Sequence, residues 1–266
     1  MIPITALWSP FLDRLRTLTD RTAFDGHLPP QDDRTAGPSL PPELPVDRLR
    51  GALAEIGFEL VDRRQEPRKG RGEAKGTRKI SKCTAVLLHQ TAAIVSLRQS
   101  LGIPAHALVM DDKVVLLHPL RAYLYHSGAG NSWTIGIEIN CRAAGVEGDM
   151  RTLWRSKKEI ERGDRAQDLV QEASDGQLAA ARLLTTYYVE EVARQGGKIV
   201  EVTYHRLTSS SRVSDPGSRI AWAVGVVSAE DHALAHARTV VGSGKPCPTC
   251  WGGELGVPYN WRVRGY

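Results

Sequence analysis

The sequence has little of what would place it in a membrane or disulfide-built class. It holds four cysteines, three methionines and three phenylalanines in 266 residues. Four cysteines in a chain of this length exclude a disulfide scaffold as the basis of the fold. No apolar run reaches the ~18–20 residues of a membrane-spanning helix, so no transmembrane segment is expected. The opening residues, MIPITALWSPFLDRLRTL, contain no basic leader ahead of an apolar stretch, and charge enters at Asp13. Sec-type export is therefore not expected. No internal repeat is visible.

Hydrophobic residues make up 41% of the chain, enough to bury a core. The net charge of +5 is unevenly spread. Residues 63–82 carry nine Lys/Arg against two Asp/Glu, so this one segment supplies the excess. A run of this kind suits an anionic polymer such as nucleic acid, a phosphate-rich lipid surface or teichoic acid. No aromatic residue interleaves its charges as a nucleic-acid stacking platform would require. The favoured expectation is a solvated linker, with no nucleic-acid partner.

Periodicity divides the chain at about residue 80. Residues 8–18 place Trp8, Phe11, Leu12, Leu15 and Leu18 at helical spacing. Residues 26–45 hold six prolines in twenty positions and read as an extended linker. DRLRGALAEIG predicts a short helix capped by Asp47, and FELV a strand. This gives an N-terminal extension over 1–79 with Pro-rich and basic linkers. From Cys83 the pattern is that of a compact α/β domain over 80–266. CTAVLLH predicts a buried strand, AAIVSLRQSLG a helix, and HALVM and KVVLLHP two strands about an Asp-Asp turn. SWTIGIEINC predicts a further strand. Residues 142–173 read as a charged insertion with some helix. SDGQLAAARLLTTYYVEEVARQGG is the clearest helix, with Ser174 or Asp175 as cap and Gly196-Gly197 at its end. KIVEVTYH predicts a strand and SAEDHALAHAR a last helix.

Three of these segments end in, or contain, possible metal ligands: VLLHQT (His89), IGIEIN (Glu138) and TYHRLTSSSRVSDPG (His205, Asp215). Two histidines and a carboxylate are a common protein set for catalytic zinc, leaving a fourth position open. A carboxylate that is not a ligand can then serve as general base, and Glu138 is placed for that role between Ile137 and Ile139. His27, His118, His232 and His236 are expected to be structural or surface residues. The last two sit four apart in DHALAH, which lacks the general-base Glu of HExxH.

In this order and spacing, VLLHQT, PAHALVMDDKVVLLHPLRAYLYHSGAGNSWTIGIEI and YHRLTSSSRVSDPG resemble the zinc-dependent N-acetylmuramoyl-L-alanine amidases. That superfamily includes peptidoglycan recognition proteins and phage lysozyme-type amidases. The resemblance covers about residues 80–225. It implies a mixed central β-sheet flanked by helices, here with a partly extended N-terminal segment. It implies Zn2+ held by His89, His205 and Asp215, and Glu138 as the catalytic acidic residue. The reaction implied is hydrolysis of the amide between N-acetylmuramic acid and L-alanine, on peptidoglycan or a muropeptide. Made in the cytoplasm, such an enzyme would act on the envelope after lysis or non-Sec delivery, or on cytoplasmic fragments. The N-terminal extension is a candidate docking segment for a delivery partner.

The sequence departs from that pattern at Val213, where many relatives carry a lysine that stabilises the oxyanion. Arg212 is the adjacent candidate substrate contact. His126, Tyr125 and Asn131 are expected to line the substrate groove, and His106 to pack near it. Cys247 and Cys250 form a CPTC without the strand-to-helix context of a redox motif, and a loop role is expected for them. The alternative reading is a peptidoglycan-binding module without hydrolysis.

Overall fold

The computed structural model describes residues 46–68, 70–212 and 214–245. The expected helix at 8–18, the Pro-rich linker, Val213 and the CPTC pair lie outside the described residues. One seven-stranded sheet organises the rest. Its strands are β1 (Glu59–Asp62), β2 (Ala85–Gln90), β3 (Ala107–Val109), β4 (Lys113–Leu116), β5 (Thr134–Ile139), β6 (Glu201–Tyr204) and β7 (Ala235–His236). They lie in the order β1-β4-β3-β5-β2-β6-β7. All neighbouring strands are parallel except the β3–β4 hairpin. The sheet is therefore mixed, as expected, and helices cover it.

Period-2 alternation sorts the central strands into two faces. Val86, Leu88, Ile135, Ile137, Ile139, Ala107 and Val109 belong to the main core. Helix α4 (Asp175–Arg194) supplies that core's other half through Leu178, Ala181, Leu184, Tyr188 and Val192. Its start follows the sequence: Ser174 accepts from the Gln177 amide, and the Gln177 side chain returns to the Ser174 amide as a capping box. The positive φ of Gly196 closes the far end. His89 and Glu138, one residue out of phase with the core positions, point to the opposite face.

Residues 142–173, expected to hold some helix, contain α2 (Lys157–Glu161) and α3 (Ala166–Leu169). Arg142 ties this segment down with two 2.8 Å bonds to the Glu159 carboxylate.

Several expectations need correcting. AAIVSLRQSLG forms no α-helix, only a 3-10 turn over Gln99–Gly102. Ala92 has a φ of 55°, and the Val95 amide donates to Asn140 Oδ1 rather than along a helix. SAEDHALAHAR is helical only in part. Helix α5 runs as an α-helical turn at Ser218–Ile220, a π-helical stretch at Ala221–Val226 and a final α-helical piece at Val227–Asp231. His232 caps its end and His236 is in β7, so the two do not share a helix face.

The described residues between 46 and 79 pack onto the sheet. Helix α1 (Val46–Glu55) buries Leu49 and Leu53, and β1 pairs along the full length of β4. Asp47 lies in the first turn of α1 rather than at its cap. The basic run 63–82 is also anchored. Arg68 donates to the Leu117 carbonyl at 2.6 Å, and Arg78 to the Asn131 carbonyl at 2.9 Å. An extended guanidinium can reach two or three carbonyls at once, so a charge-rich run can serve as internal bracing.

Candidate metal centre

The sheet register brings the site together. β2 and β5 pair in parallel with His89 opposite Glu138. β6 lies on the other side of β2, and His205 follows its last residue at the start of a 3-10 turn. The loop 206–214 then returns Asp215 to the same rim. Four hydrogen bonds fix that return. The Gln90 amide donates to Asp215 Oδ1 at 2.9 Å, and the Arg206 amide donates to the Asp215 carbonyl at 3.1 Å. The Gln90 side chain donates to the Ser214 carbonyl at 2.8 Å and accepts from the Ala143 amide at 2.7 Å. Gly217 follows with a φ of 97°, and a Cβ there would lie 2.7 Å from the Ala144 carbonyl oxygen. Only glycine allows the chain to pass at that point.

His89 Nδ1, His205 Nδ1 and Asp215 Oδ2 converge. The two nitrogens are 3.0 Å apart, His205 Nδ1 is 2.9 Å from the carboxylate oxygen, and His89 Nδ1 is 3.7 Å from it. Tetrahedral zinc with ligand bonds near 2.0–2.2 Å separates its donor atoms by ~3.3–3.6 Å. The observed triangle brackets that spacing, so the donor set fits the ion in both chemistry and size. The three residues form the one such cluster among the described residues.

The protonation states suit ligation. Burial, reinforced by the charge of His205, lowers the His89 pKa to about 4, so its imidazole is neutral near pH 7. Burial acts to raise the pKa of Asp215, but the neighbouring imidazoles, first His205 at 2.9 Å, outweigh it and lower it below the ordinary carboxylate value. Glu138 is pushed the other way. Burial, then the charge of Asp215, raises its pKa well above the ordinary value, and Arg212 partly offsets this. Its Oε2 is buried with no hydrogen-bond partner among the described residues.

His126 does not face an open groove. It is 7% exposed, and its Nδ1 lies 3.0 Å from His89 Nε2. Its Nε2 lies 3.2 Å from Thr134 Oγ1, which donates to the Gly130 carbonyl at 2.9 Å. The consistent proton assignment is His89 Nε2–H to His126 and His126 Nε2–H to Thr134, leaving His89 Nδ1 free to ligate. Asn131 is likewise used internally, its Oδ1 accepting from the His126 and Ser127 amides at 3.0 and 2.7 Å. Tyr125 is 61% exposed and stands edge-on to Tyr123. Arg212 is exposed on the 206–214 loop. His106 takes the Gly136 amide on Nδ1 at 3.0 Å and faces Arg78 at 3.0 Å, so it is not in the ligand set. Sequence reasoning missed the bracing roles of Gln90 and Thr134. The signal for Gln90 was present in VLLHQT, because the residue after a strand-end ligand faces the other way and can hold the neighbouring loop.

The chain is similar in structure to amidase endolysins. Against the endolysin N-acetylmuramoyl-L-alanine amidase LysCS of Clostridium intestinale URNW the identity is 13% and the TM-score 0.42, over 66% of this chain and 96% of that one. Against a mutant endolysin from Bacillus subtilis the values are 18% and 0.36, over 60% and 90%. Against the Ph2119 endolysin from the Thermus scotoductus MAT2119 bacteriophage Ph2119 they are 16% and 0.34, over 63% and 99%. No protein-family model matches the chain, and no curated protein matches it.

Proposed function

We propose that the protein is a zinc-dependent N-acetylmuramoyl-L-alanine amidase, cutting the amide between N-acetylmuramic acid and the L-alanine of the stem peptide. The observation that carries the reading is the convergence of His89 Nδ1, His205 Nδ1 and Asp215 Oδ2 on the rim that also presents Glu138. The motif order His89, Glu138, His205, Asp215 and its resemblance to the amidases supply the bond to be cut.

When bound, zinc supplies Lewis acidity, polarising the scissile carbonyl and making water acidic enough to react near neutral pH. The chain's own residues do the rest. Glu138, elevated in pKa by its surroundings, takes a proton from the attacking water and delivers it to the departing amide nitrogen. The water oxygen ends on the lactyl carbonyl carbon, the C–N bond breaks, and the L-alanine amine leaves protonated. Asp215 and the neutral His89 stay in one protonation state throughout. Arg212 is the cation whose charge reaches both Glu138 and His89, and it is the candidate partner for the developing oxyanion.

The test is release of stem peptide from purified peptidoglycan by the wild type and by Glu138→Ala, with zinc measured in both. Loss of release with zinc retained is expected, by ~10²–10⁴-fold for removal of a general base. Unchanged release by the variant would sink the mechanism. A zinc-loaded wild type that binds sacculi without cutting them would favour the binding-module reading instead.

A further inference from the structure

Beyond β7 the chain crosses to the face of the sheet that carries the candidate metal centre. β6 sends Val202 and Tyr204 into the main core, so Glu201 and Thr203 point to the other face. Thr203 is level with Leu87, two residues before His89. β7 ends at His236, and Ala237 turns the chain with a φ of 50°, which residues bearing a Cβ rarely adopt. Glu201 catches the chain as it comes round. Its Oε1 accepts from the Arg238 and Thr239 amides at 2.7 and 2.9 Å, and its Oε2 accepts from Thr239 Oγ1. Glu201 is 4% exposed whereas Arg238 and Thr239 are exposed, so a buried carboxyl latches a surface segment.

From that latch the chain runs along the 3-10 turn His205–Leu207. The turn has three carbonyls. That of His205 accepts from the Thr208 and Ser209 amides, both at 3.0 Å. The other two take their amides from the C-terminal segment: Lys245 donates to Arg206 at 2.9 Å and Val241 to Leu207 at 3.0 Å. Ser243 Oγ accepts from the Ser210 amide at 3.2 Å. This close approach depends on two glycines. A Cβ on Gly244 would lie 1.8 Å from the Leu207 carbonyl oxygen. A Cβ on Gly242, whose φ is 59°, would lie 2.7 Å from that of Ala129. Ala129 belongs to the 3-10 turn Gly128–Gly130, between His126 and Asn131, whose Oδ1 takes the His126 amide. The segment thus braces both the turn bearing His205 and the loop bearing His126.

We propose, on the reading of His205 as a metal ligand, that residues 238–245 position the metal centre, with Glu201 as the positioning residue that latches them. A ligand on a loop holds a metal tightly only where the loop backbone is fixed before the metal arrives. Gln90 fixes the Asp215 end of the ligand loop, and the C-terminal segment fixes the His205 end. It touches no donor atom. It acts through the carbonyls of Arg206 and Leu207, holding the backbone from which His205 Nδ1 reaches to 3.0 Å from His89 Nδ1. Glu201 acts one step further back, by keeping the segment on this face.

The experiment compares full-length wild type with Gly244→Ala, Glu201→Ala and Glu201→Gln. Zinc affinity is read by competition with a chelator, and hydrogen exchange over residues 204–215 is read on the metal-free proteins. Gly244→Ala adds a methyl group against the Leu207 carbonyl and leaves the core alone. Its zinc affinity should fall ~10–100-fold, as for loss of an outer-shell support. Its metal-free unfolding midpoint should stay within about 4 °C of the wild type, while exchange at 204–215 speeds up. Glu201→Ala should weaken zinc in the same way. Glu201→Gln keeps an oxygen for the two amides and should retain most of the affinity that Glu201→Ala loses. Wild-type zinc affinity in both Gly244→Ala and Glu201→Ala overturns the proposal. So does a loss of affinity matched by global destabilisation of Gly244→Ala, which would make the segment merely structural. A wild type that takes up no zinc would defeat the amidase reading alone. Faster exchange in Gly244→Ala would still support the hold on the turn, and unchanged exchange would overturn it.

Discussion

Adding one methyl group at Gly136 should disturb the metal centre without touching a ligand. Gly136 lies in β5 beneath the His126 ring, and a Cβ there would sit 2.6 Å from His126 Nδ1 and 2.8 Å from its Cε1. Ordinary contact begins at 3.4 Å, so the ring must retreat by about 0.8 Å. It has little room to do so, being held 3.0 Å from His89 on one side and 3.2 Å from Thr134 on another. Overpacking of this kind costs ~1–3 kcal/mol. Because the displaced atom is the one that orients His89, zinc affinity should fall ~10–100-fold, as for loss of an outer-shell partner.

A double-mutant cycle separates this route from a general effect on the strand. His126→Ala alone should cost ~1–3 kcal/mol by leaving His89 Nε2 without its partner. In that background Gly136→Ala meets no ring, so its steric cost should vanish. The double variant should then resemble His126→Ala rather than the sum of the two. Urea unfolding gives the stabilities, and competition with a chromogenic chelator gives the zinc affinities. Additive costs, or a Gly136→Ala protein that folds and binds zinc like the wild type, would refute the reasoning.

Asp215→Ala should abolish stoichiometric zinc binding, measured by elemental analysis, while the apoprotein stays folded; full zinc content in that variant would remove Asp215 from the ligand set. Truncation to residue 63 removes the buried side chains of Leu49, Leu53, Phe58 and Leu60. At ~1.5–3 kcal/mol each this approaches the whole stability of a domain, so the product should be unfolded by circular dichroism. Truncation to residue 46 keeps α1 and β1 and should remain folded. Glu159 has its pKa lowered to about 2 by hydrogen bonds from Arg142 and then Ser156. A depressed folded pKa adds stability above the unfolded value near 4.5 that is lost as pH falls toward 2. Glu159→Gln should flatten the unfolding midpoint across that window, and an unchanged slope would show that the pair contributes nothing there.

The parts legible in the sequence were those written in local periodicity. The β2 and β5 runs, the hairpin around the Asp-Asp turn, and α4 with its Ser174 cap all follow from alternation, helical spacing or capping chemistry within one segment. The failures share a cause. Residues 92–102 have helical composition, but the strand-end loop spends its backbone donors on Asn140 instead. The run 63–82 reads as solvated because composition counts charges, and it cannot see that Arg68 and Arg78 reach carbonyls 49 and 53 residues away. His126 was legible as belonging to the site but not as facing His89, because that contact depends on Gly136 leaving space for an imidazole.

Glu138 and Asp215 show why residue type alone underdetermines such a site. Both are carboxylates on one rim, and burial pushes both toward the neutral form. Asp215 is restored to the anion by the His205 ring and the Gln90 amide that point at it, with His89 close by. Glu138 receives no such bond on Oε2, and the anionic Asp215 raises its pKa further. In the proposed mechanism this difference assigns Asp215 to the cation and Glu138 to the proton. The division rests on register: with His89 opposite Glu138 in parallel strands, the two share a face. A slip of one residue in β5 would put Glu138 into the α4 core and Ile137 or Ile139 on the rim, and the proposed base would be lost while His89, His205 and Asp215 stayed together.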